Sequence, residues 1–359
     1  MIYYCLLLRI ICDLVRLMCM MKIIFFILSL FLMLSCSSVK EEFSFTDLSN
    51  STILQSPEKI LKFDDKYPTS IKVMDSLLFV IQVKADTCID VFNLFTKQKI
   101  KSLGPVGHGD TDLINPNFIL SIDNNKVLLD EGNLKRILEI EYDTDSMQLK
   151  EYIPYPDPIF ISSETNISEK YIVGRKIDAI DGKMFFIYNR GTNEISEVDC
   201  FPELEEQVAD YNYTFAPTIA FNEQQNRIIA GMYFFDMIHV YDLEGKRINT
   251  FRFSEKSIPN VNKNTKRLEL ENGYSGFIRC FPTEDYCYLL HITANPAKEK
   301  SESMLIQIDW NGNLVHSYRF IDNVSGQFYI DESVHKIYII HNSWNSTVGE
   351  VFEIVSYNL

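Results

Sequence analysis

Apolar and polar side chains alternate with a period of two along most of the chain, most clearly over Ile238 to Phe253 (IHVYDLEGKRINTFRF). That period turns one face of a strand into a core. Between the two arms, Asp242-Leu-Glu-Gly245 supplies an Asp that folds back on the backbone and a Gly for the left-handed position of a tight turn, so the stretch predicts a β-hairpin. An aromatic or aliphatic residue followed by Asn or Asp closes an alternating strand six times, at Phe92-Asn93, Tyr142-Asp143, Tyr188-Asn189, Tyr241-Asp242, Ile308-Asp309 and Tyr357-Asn358. Separations of about 46 to 67 residues suit a four-stranded propeller blade. The pattern predicts an all-β chain: a six-bladed β-propeller of four-stranded antiparallel blades.

Blade one is predicted from Ile71 to Leu103, with strands Ile71 to Asp75, Leu77 to Val83, Ile89 to Asn93 and Lys99 to Leu103. Blades two to five follow at about Asn117 to Ile153, Ile159 to Phe201, Phe215 to Phe253 and Phe277 to Phe320. Blade six has Gln327 to Ile330, Lys336 to His341 and Val351 to Tyr357, and then no fourth strand. An open blade would leave an unpaired edge and an unclosed ring. The N-terminal segment is therefore expected to close it, through either Ser51 to Leu54 or Lys59 to Phe63.

The longest spacing contains two polar insertions, Ser254 to Tyr274 between blades four and five and Thr293 to Ser303 between the middle strands of blade five. Both loop types open on the same face of a propeller. Loops vary there while the ring holds them, which marks that face for ligand binding.

The fixed repeat makes residues 51–359 one domain, since each blade buries its faces only against its neighbours. The chain carries 34 basic and 49 acidic residues, a formal charge of −15, and three of the basic but one of the acidic lie in the first 35 positions. Such a surface repels phosphate backbones, so nucleic acid is not an expected partner. Of eight cysteines, none forms a CxxC pair. Cys280 and Cys287 flank Pro282-Thr-Glu-Asp285 symmetrically; with that four-residue loop they would face each other, either as a disulfide in an oxidising compartment or as two buried thiols.

Residues 1–35 read as an upstream extension and a signal peptide, with the true start at Met20 or Met21. Lys22 gives a short basic region, Ile23 to Leu34 an apolar run too short to span a bilayer, and Met33-Leu-Ser-Cys36 a small residue directly before a cysteine. This resembles a bacterial lipoprotein signal with Cys36 as the acylated residue. The competing readings are an uncleaved anchor helix and a plain secretory signal. Residues 36–50 read as a tether, in which Ser37-Ser-Val-Lys-Glu-Glu42 resembles the export tag of Bacteroidetes surface lipoproteins; a solvated linker has the same composition. The expected location is the outer membrane, lipid-anchored and at the cell surface, otherwise facing the periplasm.

The sharpest local motif is Leu103-Gly-Pro-Val-Gly-His-Gly-Asp-Thr-Asp-Leu-Ile-Asn-Pro116. Its Gly104, Gly107, Gly109 and Pro116 match the connector of NHL-repeat propellers, while Asp110-Thr111 and Asp112-Leu113 depart from it. With the six repeats, the chain resembles the six-bladed TolB-like and NHL-like propeller lipoproteins of Bacteroidetes. That resemblance implies a fold and carries no agreed reaction.

His108, Asp110 and Asp112 could share a cation such as calcium (Ca2+), but Asp in a Gly-rich loop more often caps the backbone; no cofactor is predicted. The remaining histidines lack metal-ligand spacing, and neither a nucleophile elbow nor a sialidase-type Asp box is present. Asp75-Ser-Leu77 and Asp145-Ser-Met147 resemble O-glycosylation acceptors and are equally explained as turns. Trp344, in the polar stretch His341 to Thr347, could stack on a sugar or anchor a peptide, or pack on its own loop. The expectation is a non-catalytic binding or scaffold module for a glycan, peptide or protein partner. The alternative is a metal-dependent hydrolase or lyase at the channel mouth.

Overall fold

The computed structural model describes residues 43–359 except 45–47, 49, 65, 84, 123–124, 144–145, 155–163, 177–181, 200–207, 210, 254–259, 271–272, 296–299, 323 and 346–348. Three short N-terminal strands come first, β1 (Phe43–Ser44), β2 (Thr52–Leu54) and β3 (Glu58–Phe63). Blade one follows as β4 (Tyr67–Met74), β5 (Leu77–Val83), β6 (Thr87–Asn93) and β7 (Lys99–Pro105). Blade two is β8 (Asn117–Phe118), β9 (Leu128–Glu131), β10 (Arg136–Tyr142) and β11 (Met147–Pro154); blade three is β12 (Asn166–Ile167), β13 (Tyr171–Arg175), β14 (Lys183–Asn189) and β15 (Glu194–Asp199). Blade four comprises β16 (Pro217–Asn222), β17 (Arg227–Met232), β18 (Met237–Tyr241) and β19 (Arg247–Arg252). Blade five comprises β20 (Tyr274–Pro282), β21 (Tyr286–Asn295), β22 (Lys300–Asp309) and β23 (Leu314–Phe320), and blade six β24 (Val324–Asp331), β25 (Lys336–Asn345) and β26 (Gly349–Asn358). The six-bladed all-β propeller predicted from the repeat is the observed fold.

The six anchors mark the third strand of each blade, and their polar residue does a local job. Asn93 Oδ1 accepts from the N–H groups of Phe95 and Thr96, Asn189 Oδ1 from Gly191 and Thr192, and Asp309 Oδ1 from Asn311 and Asn313. Asp143 and Asp242 cap Ser146 and Lys246 in the same way. Gly245 takes φ +79° in the Asp242 turn, as the hairpin reading requires. Asn358 closes β26, and the fourth strand of blade six comes from the N-terminal segment.

That strand is β3, antiparallel to β26, with Phe63 opposite Phe352 and Leu61 opposite Ile354. The other candidate, Ser51 to Leu54, forms β2 and adds parallel to β23 outside blade five, while β1 adds parallel to β19 outside blade four. One N-terminal strap thus covers the outer edges of three successive blades. β1 falls within residues 36–50, the stretch read as a tether. Leu54, Ile60 and Phe63 anchor the strap in the apolar layer of blades five, six and one.

Apolar clusters fill the seams between blades: one to two, two to three, three to four, four to five, and a larger one spanning five, six and one. The innermost strands of blades two and three are also joined directly, Leu120 N–H to Thr165 O at 3.0 Å and Ile167 N–H to Leu120 O at 3.1 Å. Connectors between blades and the turns between second and third strands open on one face, the upper face below.

Two boundaries differ from the sequence reading. The insertion Thr293 to Ser303 is largely strand: Thr293 pairs with Glu302 and Ala294 with Ser301, lengthening the β21–β22 hairpin. His341 to Asn345 is likewise the end of β25, with the Trp344 backbone paired to Glu350, because a polar stretch keeps a ladder as well as an apolar one when both partners are solvated. The Trp344 side chain, like Cys36, lies outside what the structure describes.

Candidate functional site

The upper face over blades three to five is built by two connectors that lock together. Between β15 and β16, Tyr211–Thr214 makes one helical turn. Between β19 and β20, Asn262 Oδ1 caps the N–H groups of Asn264 and Thr265, Val261 bridges Leu268, and Ala209 N–H donates to Lys266 O at 2.8 Å. Val261, Leu268 and Leu270 then pack on the apolar layer of blades three and four. On this platform Tyr213 is 60% exposed, its ring 4.8 Å from Phe234, which in turn lies 5.4 Å from Tyr274.

The adjacent residue, Tyr233, turns toward the seam with blade three. Its phenol donates to Glu164, and the Arg175 guanidinium lies over its ring at 5.5 Å, with Nη1 4.0 Å from Glu164 Oε1. Gly276 makes this placement possible, because a Cβ there would overlap the Tyr233 carbonyl; Tyr233 N–H also donates to Ala216 O at 3.1 Å. Burial, then the Glu164 charge, pushes the Tyr233 phenol far above its ordinary value, so it stays protonated and donates. Burial opposes the charge on Arg175, but Glu164 and Tyr233 outweigh it and hold the guanidinium above its ordinary value. The positive charge of Arg279 on β20 also acts on Tyr233. The Glu164 side chain is 3% exposed and the Arg175 side chain 22%, and Tyr233 is half-buried, so the carboxylate is enclosed while Arg175 and Tyr233 are partly exposed.

A second buried pair joins blades four and five, His291 Nε2 with Asp236 Oδ1 at 2.7 Å. The imidazole stacks on Phe253 at 6.2 Å and tilts against Phe277 at 5.1 Å. Glu164 and Asp236 therefore each have a partner. Among the described residues no three His, Cys, Asp or Glu side chains group as a cation site. The arrangement offers a supported guanidinium, supported aromatic faces and two carboxylates already engaged within the protein, which suits holding a polar ligand.

The Gly-rich connector Leu103 to Pro116 lies on the same face at the seam of blades one and two. Asp112 Oδ2 accepts from Gly109 N–H at 2.8 Å, and Arg136 clamps the carbonyls of Gly109, Asp110 and Asp112 at 3.1, 2.7 and 2.6 Å. Glu131 Oε2 accepts from Ile114 and Asn115 N–H at 2.7 and 3.0 Å. Asp112 thus caps backbone, while His108 and Asp110 are exposed. Cys280 and Cys287 do not face each other: Cys280 pairs with Leu289 and Cys287 with Pro282, because Thr283 closes the turn by accepting from and donating to Tyr286, leaving two loop residues rather than four. The cysteines sit diagonally on one face as free buried thiols, and burial, then the neighbouring Cys280, raises the Cys287 thiol well above its ordinary value.

Glu164, Arg175, Tyr233 and Arg279 form no linear motif. The available signal was Tyr233-Phe-Phe-Asp236, an aromatic run in a hairpin turn, where small polar residues are the rule.

Among solved structures, the chain is similar to a member of the DUF4221 family from Bacteroides vulgatus, at 14% identity and TM-score 0.49 over 85% of this chain and 99% of that one. It is also similar to a Bacteroides fragilis protein described as exported, at 13% identity and TM-score 0.51 over 88% and 98% of the two chains. No curated protein sequence matches it. The family model described as TolB-like 6-blade propeller-like matches residues 44–333, from the strap through the first strand of blade six. With that match over the observed ring of six blades, the chain belongs to the TolB-like six-bladed propeller family.

Proposed function

We propose that this propeller is a non-catalytic binding module, exported and lipid-anchored through Cys36, that offers the mouth over blades three to five to a glycan, peptide or protein partner. The observation that carries the reading is Arg175: a partly exposed side chain whose guanidinium lies over the Tyr233 ring and beside the Glu164 carboxylate, on the same face as the exposed Tyr213 stack. Rigid elements fix these groups before any ligand arrives, which lowers the ordering cost of binding. Export is supported by the Ile23 to Cys36 pattern and by the fold shared with a protein described as exported. The outer membrane and cell surface are the location this reading assigns.

The test is a binding screen of glycans, peptides and candidate proteins with wild type, Arg175→Gln and Tyr213→Ala. A ligand that wild type holds and both variants lose, at unchanged melting temperature, supports the mouth as the site. A ligand held equally by all three places binding elsewhere. For the anchor, Cys36→Ala should leave the membrane fraction and lose fatty-acid label; an unlabelled wild type removes Cys36 from the proposal.

A further inference from the structure

The mouth carries more chemical information than a general docking face, and three observations narrow the ligand. The first is charge. Glu164 already faces Arg175 at 4.0 Å and Asp236 already has the His291 imidazole at 2.7 Å, so these two carboxylates are engaged within the protein. A chain of formal charge −15 adds a repulsive field toward polyanions.

The second is shape. Tyr213 presents a flat ring at 60% exposure, backed by Phe234 and Tyr274, while Tyr233 directs the guanidinium fork from the neighbouring position in the chain. An amphipathic aromatic face takes the apolar C–H face of a ring, and a guanidinium donates in a fixed fork to hydroxyl oxygens. A pyranose has both faces of that description at once. Because the stack and the fork are on different side chains of different blades, the match is to successive units of an oligosaccharide.

The third is what the strap has removed. Extended peptides are commonly taken up by adding a strand to an open sheet edge. At blades four and five those edges are already occupied, β19 by β1 and β23 by β2.

We infer that the mouth over blades three to five is a binding site for a neutral oligosaccharide, with Tyr213 as the stacking platform and Arg175 as the hydroxyl-binding fork. This rests on the binding-module reading and adds the ligand class. Glu164 and Tyr233 are positioning residues that hold the fork, and Gly276 is required because it lets the Tyr233 turn approach β20.

The experiment uses the full-length protein in detergent on an array of neutral oligosaccharides (gluco-, xylo-, manno- and galacto-configured), uronate oligosaccharides and peptides, followed by calorimetry of any hit. Wild type should bind at least one neutral oligosaccharide. Tyr213→Ala and Arg175→Gln should each weaken it about tenfold or more, the loss expected of one stacking or fork interaction, while Tyr213→Phe retains binding. Melting curves confirm that the variants fold. Tyr233→Phe, which keeps the ring under the guanidinium and the Arg175–Glu164 pair but removes the hydroxyl that steadies Glu164, should weaken binding less than Arg175→Gln. Absence of any neutral hit overturns the inference. A hit confined to uronates or peptides, and lost in Tyr213→Ala, overturns the ligand class while sustaining the mouth as a binding site. A neutral hit indifferent to both variants overturns the inference and the assignment of the mouth together.

Discussion

The Tyr233 phenol donates a hydrogen bond to the Glu164 carboxylate across the seam of blades three and four, 69 residues apart in the chain. Glu164 is buried and also faces Arg175, so the bond secures a carboxylate that water hardly reaches. Removing only the hydroxyl, in Tyr233→Phe, should destabilise the protein by about 1–3 kcal/mol, the cost of a buried charged acceptor losing a donor. Urea unfolding of the two proteins measures it; an unchanged midpoint would mean that Glu164 finds another donor at once.

Asp90 sets the acid limit of stability. It is wholly buried in blade one, yet it accepts from Lys66 at 2.8 Å, Gln82 at 2.7 Å and Ser102 at 2.6 Å and pairs with Lys99 at 2.9 Å. Burial alone would raise its pKa, but these partners outweigh it and bring the carboxyl to about 2. The folded value lies below the unfolded one, so the stabilisation is complete above about pH 4 and is lost as pH falls from there toward 2. Asp90→Asn should flatten unfolding free energy against pH in that window by up to about 2 kcal/mol.

Asp130 has the opposite sign. Burial, with a smaller contribution from Glu131, raises it to about 7 despite its 3.1 Å bond from Thr165. The folded state then binds a proton that the unfolded state releases near pH 4, so stability falls as pH rises from about 4 to 7. Asp130→Asn should remove that slope and raise the melting temperature at pH 8. A variant that tracks wild type across the window would place the carboxyl at its ordinary value.

The strap predicts a graded truncation series. Deleting residues 37–57 removes β1 and β2 but keeps β3, and should give a closed, folded ring with the edges of β19 and β23 open to self-association. Deleting residues 37–63 also removes β3 and should give an aggregating product. Phe63→Ala, emptying a buried position beside Phe92 at 6.1 Å, should cost about 3–5 kcal/mol. Light scattering and thermal melts separate the three; normal melting of the longer deletion would contradict closure by β3.

Cys280 and Cys287 should resist thiol reagents in the folded protein and react on unfolding, since both are fully buried and burial raises the Cys287 thiol. Two reagent equivalents gained at those positions on denaturation, read by mass spectrometry, is the expected result. An intact mass lacking two hydrogens at that pair would show a disulfide instead.

The sequence by itself determined the elements that depend on neighbours along the chain. Alternation set strand faces, and the residues after Phe92, Tyr142, Tyr188, Tyr241 and Ile308 are polar because each caps a turn three or four positions away. Repeat length and the missing fourth strand of blade six then required a donor from the N-terminus. Only tertiary structure decided which segment that was, because β2 and β3 are both short amphipathic strands and the choice rests on Ile60 and Phe63 entering the seam of blades six and one. It also decided the register of Cys280 and Cys287, which turns on whether Thr283 and Tyr286 bond to each other or belong to the loop. The mouth was illegible for the same reason: Glu164, Arg175, Tyr233 and Arg279 come from three blades, and their meeting is set by the packing of one sheet on the next, which no spacing within a single blade encodes.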